Sequence, residues 1–467
     1  MQEIYRGNRE LFRGLWIEDK LDWQPSPVIL INFNNVSYRT QSLAQGLSHY
    51  LDTLAREYSL TLTGSDPKEK FLQLIDGLSP RGKIVLLIDE YDKPITDLLE
   101  NAEKVQENVD TLKDFYSVLK STEAKYLQYT FITGVSKYGK LSIFSDLNNL
   151  IDITVDPRFA TLLGYTQAEL EHYFGDYLDR LTHTFGVSRA ELLQQIAFWY
   201  DGYSWDGINR VYVPFSTLLF LELQSFENHW FSTGTPTFLL KLLRQKQVPA
   251  YELESIMADT NLLNSADVNQ ISVVSLLFQT GYLTIKQVQR TLQGQFYELG
   301  YPNYEVAHAF QQHLLVDYLE SNPDQVSAFL LTRLQQALQT TNIDAFITTL
   351  QAVFADIPSR LFLPQEAYYH SVVYLVLRLL GFTIYAERMT NVGRIDAVLE
   401  LADKVYILEF KMTTGQIALD QIRNKKYAQP FLGSDKTVIL LGIAFDKSAH
   451  NITDWKQEIV SQSRSDD

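Results

Sequence analysis

The chain has no cysteine. It can form no disulfide, thiolate nucleophile, cysteine zinc site or iron–sulfur cluster, and the lack fits a reducing compartment, so a cytoplasmic protein is expected. Long apolar runs are missing as well. The longest, such as Val372–Leu377, fall well short of the ~18 residues a membrane helix needs. The start, Met1-Gln-Glu-Ile-Tyr-Arg6, has no apolar core of a signal peptide. No membrane partner is expected. Positive charge is scarce: 40 Lys+Arg face 56 Asp+Glu, a net charge of −16, so the average field repels nucleic acid. The deficit is uneven, because Asp356–Asp467 holds 13 basic and 14 acidic residues and the rest of the chain carries almost all of the excess. A polyanion would be handled by that last quarter. The eight histidines are scattered, and the spacing of His308 and His313 does not put both on one helix face, which disfavours zinc hydrolysis.

What is present is ample apolar material. At 46% hydrophobic the 467 residues can bury several cores, and roughly 100–200 residues per domain implies two to four domains. The first stretch alternates: a buried strand at Val28–Phe33, a helix over Leu43–Tyr58, a strand at Ile84–Ile88, a charged helix over Val105–Ser121 and a strand at Tyr126–Gly134. Strands separated by helices imply a parallel sheet with helices on its faces. Helical periodicity then dominates, at Ala168–Leu181, Arg189–Tyr200, Pro236–Leu243 and Gln325–Thr340, and suggests an all-α or α-rich middle. The end returns to α/β. Pro364 opens a helix that Gly381 stops, strands follow at Phe382–Ala386, Arg394–Leu401 and Lys404–Met412, then a helix over Gln416–Gln429 and a strand at Thr437–Ala444. The expected division is 1–160, 161–355 and 356–467.

The strongest site signal lies in that last region. A hairpin with Ala402-Asp403 at its tip sets Asp396 opposite Glu409 and Arg394 opposite Lys411. Opposed carboxylates repel and weaken a hairpin, but a cation between them reverses the sign. Oxygen ligands on a rigid pair suit Mg²⁺, or Mn²⁺ in its place. Lys411, on the same face, could stabilise phosphate charge or lower the pKa of an activated water. The alternative is a solvated face of a strand pair. Val398, Val405 and Ile407 share the side of the two acids and argue against it. Glu366 suits a helix start through the dipole, and His370, one turn on, could share its face.

Gly393-Arg-Ile-Asp396 followed by Leu408-Glu409-Phe-Lys411 resembles the core of the PD-(D/E)XK nuclease superfamily, whose fold runs α-β-β-β-α-β. Gln365–His370, Gly393–Val398 and Ala418–Tyr427 are similar to the nuclease module of a prokaryotic family that couples it to an AAA-ATPase-like domain. Trp199-Tyr-Asp-Gly-Tyr203, Trp230–Phe238 and Leu276–Thr284 extend the likeness upstream. The resemblance implies that Asp396 and Glu409 are metal ligands, Lys411 the catalytic lysine and Glu366 a further acid of the site. Gln421 and Tyr427 match a pair that supports the centre or faces DNA, and Arg394, Arg423, Lys425 and Lys426 are candidates for phosphate contacts.

The resemblance also reads Ile84-Val-Leu-Leu-Ile-Asp89-Glu90 as a Walker B strand, with Asp89 directed to Mg²⁺ and Glu90 to a hydrolytic water. Tyr129–Ser136 and Leu141–Asn149 match the same family, and Thr133 or Ser136 would sense the γ-phosphate. Gly134-Val-Ser-Lys-Tyr-Gly139-Lys140 is followed by Leu141 rather than Ser or Thr and lies after the Walker B strand, so it is not a P-loop. In the family the loop precedes the segment matching Gly7–Trp16, and the sequence begins almost there. The expectation is therefore a truncated ATPase-like module with weak ATP binding or none. The favoured reading is a Mg²⁺-dependent nuclease acting on DNA. A non-catalytic interaction protein and a nucleotide-dependent switch stay open, and rings formed by AAA relatives leave a homo-oligomer open too.

Overall fold

A computed structural model of the chain describes residues 1–137, 143–144, 150–230, 237–263, 272–319, 328–355, 357, 366–390 and 393–460. Pro364, Gln365, most of Trp230–Phe238 and of Leu141–Asn149, and the end of the Gly134–Lys140 segment lie outside these residues. Two compact units emerge: Met1–Ile153 with Asp259–Gly281, and Thr154–Ala258 with Tyr282–Asp467. Among the described residues no helix is long and apolar enough to cross a membrane.

In the first unit β1 (Val28–Asn32), β2 (Ile84–Asp89) and β3 (Leu127–Ile132) form a parallel sheet in the order β1-β2-β3. The central strand is buried from Ile84 to Ile88, as a parallel strand covered on both faces must be. The first covering helix, Leu43–Glu57, opens on a capping box between Ser42 and Gln45 and buries Leu43, Leu47 and Leu51. The second, Pro67–Leu78, has Asp66 as its cap and proline in its first turn. The third runs over Ala102–Tyr126, longer than the apolar spacing suggested. Parallel strands bring their C-terminal ends to one edge, so Asn32 and Asp89 stand side by side there.

In the second unit the expected helix Ala168–Leu181 is two, Gln167–Tyr173 and Gly175–Phe185. The break falls at Phe174, whose φ −115 and ψ 20 leave the helical region. With Arg189–Tyr200 and Pro214–Leu223 they enclose Leu170, Leu178, Ile196, Tyr200 and Phe220. The middle is helical but also holds a sheet that the periodicity did not signal, β4 (Ile256–Asp259), β5 (Thr284–Thr291) and β6 (Gly294–Gly300), ordered β4-β6-β5. A register shift between Ile285 and Gln287 breaks the alternation that would have marked β5.

The end of the chain places a helix, Glu366–Leu379, beside a five-stranded sheet: β7 (Thr383–Thr390), β8 (Gly393–Glu400), β9 (Lys404–Lys411), β10 (Thr437–Asp446) and β11 (Asn451–Val460), ordered β11-β10-β9-β8-β7. Only β9 and β10 pair in parallel, joined by the helix Gly415–Asn424. This is the expected α-β-β-β-α-β order with one strand added. β11, half-buried for much of its length and rich in polar residues, closes the edge beside β10, and edge strands need no apolar signature. β9 is central and buried from Val405 to Phe410. The site is built on it.

Candidate active site

β8 and β9 pair in the register the hairpin implied, from Glu400↔Val405 to Ala397↔Leu408. There the ladder stops. The expected opposition of Asp396 to Glu409 and of Arg394 to Lys411 is not a ladder pairing; instead the Asp396 carboxylate accepts the Phe410 N–H at 2.8 Å. A side-chain oxygen has taken the place of a strand carbonyl. The substitution opens the strands where two acids would otherwise be forced together, and it keeps the Phe410 amide satisfied. Val398, Val405 and Ile407 do share one core cluster, with Ile395 joining them. Ile395 and Val398 are three residues apart, so strict alternation fails next to Asp396.

Glu409 is fully buried. Its Oε1 accepts from Lys411 Nζ at 3.0 Å and from Gln421 Nε2 on the helix Gly415–Asn424. Its Oε2 is buried with no hydrogen-bond partner. Burial, then the charge of Asp396, pushes the Glu409 carboxyl up to about 7 against the pull of Lys411. Burial also draws the Lys411 ammonium down, but Glu409, Asp396 and Glu366 together hold it above its ordinary value. It is a fixed cation, 3.9 Å from Glu366 Oε1, and also donates to the Phe410 carbonyl. Glu366 is the first residue of its helix. The structure thus gathers Asp396, Glu409, Lys411, Glu366 and Gln421 around one end of β9.

These residues fit a hard divalent cation. Glu409 Oε2 is a buried carboxylate oxygen with no donor on it, beside a second carboxylate, and so is open to a ligand bond even though Lys411 holds the other oxygen. Among the described residues no group of three or more His, Cys, Asp or Glu could hold a metal, so two carboxylates are what the sheet supplies, as suits an ion that keeps several waters.

The remaining candidates divide. Tyr427 is buried and its hydroxyl donates to the Arg394 carbonyl at 2.7 Å, so it braces β8 rather than facing outward. Gly393, with φ +151, leaves room for that hydroxyl; a Cβ there would lie 2.8 Å from it. Arg423 is engaged by Asp420 and Glu458. Lys425, Lys426 and the Arg394 side chain lie on the exposed surface.

At the C-terminal edge of the parallel sheet, Asp89 accepts from Asn32 Nδ2 at 3.0 Å and from Thr133 Oγ1 at 2.7 Å. Glu90 follows with a left-handed φ of 56 and lies 3.6 Å from Lys93. Ser136 belongs to a neighbouring cluster: its N–H and that of Val135 donate to buried Asp92, and its carbonyl accepts from Tyr91. Asn32 and Asp92 were not singled out from the sequence. For Asn32 the signal was a polar residue ending an apolar strand; Asp92 lies in the run Tyr91-Asp-Lys-Pro94, which extends the AAA-like resemblance beyond the two acids but gives Asp92 no role of its own.

The first 144 residues match a family model described as a predicted AAA-ATPase, and residues 364–455 match the PD-(D/E)XK nuclease superfamily. The chain is also 36% identical over 471 residues to the "Uncharacterized protein in vnfD 5'region" of Azotobacter chroococcum mcd 1, covering 98% of this chain and 88% of that protein. That near end-to-end match, with the first model on the three-stranded parallel sheet and the second on the five-stranded mixed sheet, places the chain in the family that joins an AAA-ATPase-like domain to a C-terminal PD-(D/E)XK nuclease superfamily domain.

Proposed function

We propose that the C-terminal domain is a divalent-cation-dependent phosphodiesterase that cuts DNA, within a chain divided at 1–160, 161–355 and 356–467. The observation that carries this is the buried, unpartnered Oε2 of Glu409 beside Asp396. Asp396 and Glu409 would hold Mg²⁺ or Mn²⁺, which supplies Lewis acidity toward a phosphate oxygen and an activated water. Lys411 stays charged and meets a phosphate oxygen as a fixed positive charge, not as a base. Gln421 orients Glu409, and Glu366 orients Lys411. Lys425, Lys426 and Arg394 supply exposed positive charge for the backbone of the substrate. In the N-terminal module Asp89 and Glu90 are the acids of a nucleotide-facing edge, with Thr133 as the residue that touches Asp89.

The test is cleavage of supercoiled, linear and single-stranded DNA, and of RNA, by the full chain in Mg²⁺, Mn²⁺ or EDTA. Cutting of DNA that needs the cation and disappears in Asp396→Ala is the expected result. Cutting that survives in Asp396→Ala, or no cutting of any nucleic acid, rejects the reading.

A further inference from the structure

The two acids repel each other, so whatever fixes the backbone beneath them sets their spacing. That backbone is Phe410, whose N–H holds Asp396 and whose chain neighbours are Glu409 and Lys411. The Phe410 ring meets the His370 ring, with centroids 5.0 Å apart and planes at 47°. His370 is buried in the helix Glu366–Leu379 and is stacked in turn by Tyr251, at 4.4 Å and 28°.

Tyr251 is not loosely placed. It belongs to a short strap, Ala250–Glu254, laid along successive turns of that helix. Ala250 N–H donates to Ser371 Oγ at 3.2 Å. Glu254 at the other end accepts from the Tyr374 hydroxyl and pairs with Arg378. His370, Tyr374 and Arg378 recur every four residues, so the strap grips one helix face at both ends. Tyr251 sits between these anchors. A centre needs its ligands held within a fraction of an ångström by groups that are themselves locked by packing, and here the locking runs Tyr251, His370, Phe410, Asp396.

We propose that Tyr251 and His370 are positioning residues: an aromatic prop that fixes the Phe410 amide and thereby the Asp396/Glu409 pair, so that the strap sets the cation affinity of the C-terminal centre. The proposal rests on the reading of that centre as a cation site.

Two measurements on the full chain separate the prop from that reading. Hydrogen exchange of the peptide spanning Lys404–Lys411 in EDTA reports the Phe410 amide without any metal. Tyr251→Ala should speed its exchange about tenfold relative to the rest of the sheet, and Tyr251→Phe should leave it within twofold. Mn²⁺ titration should then show about tenfold weaker binding in Tyr251→Ala and near-normal binding in Tyr251→Phe. If Tyr251→Ala melts far below wild type, Tyr251→Leu carries the same comparison, keeping apolar bulk without a ring to stack. Unchanged exchange in the ringless variants, or equal losses in Tyr251→Phe, overturns the prop. Wild-type protein that binds no Mn²⁺ overturns the cation reading and the strap's control of affinity with it, whereas the exchange result still decides whether the prop holds Phe410.

Discussion

Glu409→Gln should make the protein more stable at alkaline pH while abolishing cleavage. In the cation-free fold the Glu409 carboxyl is raised from 4.5 to about 7, by burial first and by Asp396 second. Below about pH 4.5 both folded and unfolded chains hold the proton, and the group adds no pH dependence. Between 4.5 and about 7 the unfolded chain has ionised and the folded one has not, so stability falls as pH rises. Above about 7 both are ionised and the whole penalty stands, about 3 kcal/mol at 1.36 kcal/mol per pH unit. Glutamine is a neutral isostere that never ionises. The difference between variant and wild type, measured by thermal melts in EDTA from pH 5 to 8.5, should therefore be small at the acid end and widen through pH 7. In melting temperature the widening is on the order of 5–10 °C. Added Mn²⁺ should stabilise wild type and leave the variant almost unmoved, because the charge that attracts the ion is gone. A difference that is the same at pH 5 and pH 8 would refute the reasoning, since it would mean that Glu409 carries no buried ionisation cost.

Three further outcomes follow from other parts of the fold. Lys411→Met removes the charge that pulls Glu409 down, so the pH midpoint for Mn²⁺ binding should move upward by calorimetric titration; an unmoved midpoint counts against the pairing. Gly202→Ala should cost about 2 kcal/mol or more, because φ is +122 and a Cβ would lie 2.1 Å from the Pro302 carbonyl oxygen; melting checks it, and a neutral result contradicts the close approach. Asp92→Ala strips the acceptor from the Val135 and Ser136 amides. At about 1–3 kcal/mol for the buried Ser136 amide left unpaired, and less for the half-exposed Val135 amide, hydrogen exchange over Leu127–Lys137 should rise, and unchanged protection would show those amides paired elsewhere.

Much of the scaffold was legible from local pattern. The short tip at Ala402-Asp403 set the β8/β9 register from Glu400↔Val405 to Ala397↔Leu408, and buried runs ending in acids or polar residues marked β1 and β2. Periodicity served less well where it was interrupted: a turn at Phe174 split an expected helix, and a register shift broke the strand alternation of β5. β11 stayed hidden because an edge strand needs no regular apolar alternation: Ile452, Trp455, Ile459 and Val460 are spread among charged and polar residues.

The sequence by itself determined that Asp396 would lie on one strand and Glu409 and Lys411 on its hairpin neighbour, because a hairpin's register depends only on residues close along the chain. The tertiary structure decided what those residues can do. The Asp396 carboxylate turning to the Phe410 amide, Gln421 reaching Glu409 from another element, and Tyr251 reaching His370 across more than a hundred residues are long-range contacts. No local periodicity encodes them. The raised carboxyl of Glu409 has the same origin, since an ionisation energy depends on everything that excludes water around the group, and only the packed chain supplies that.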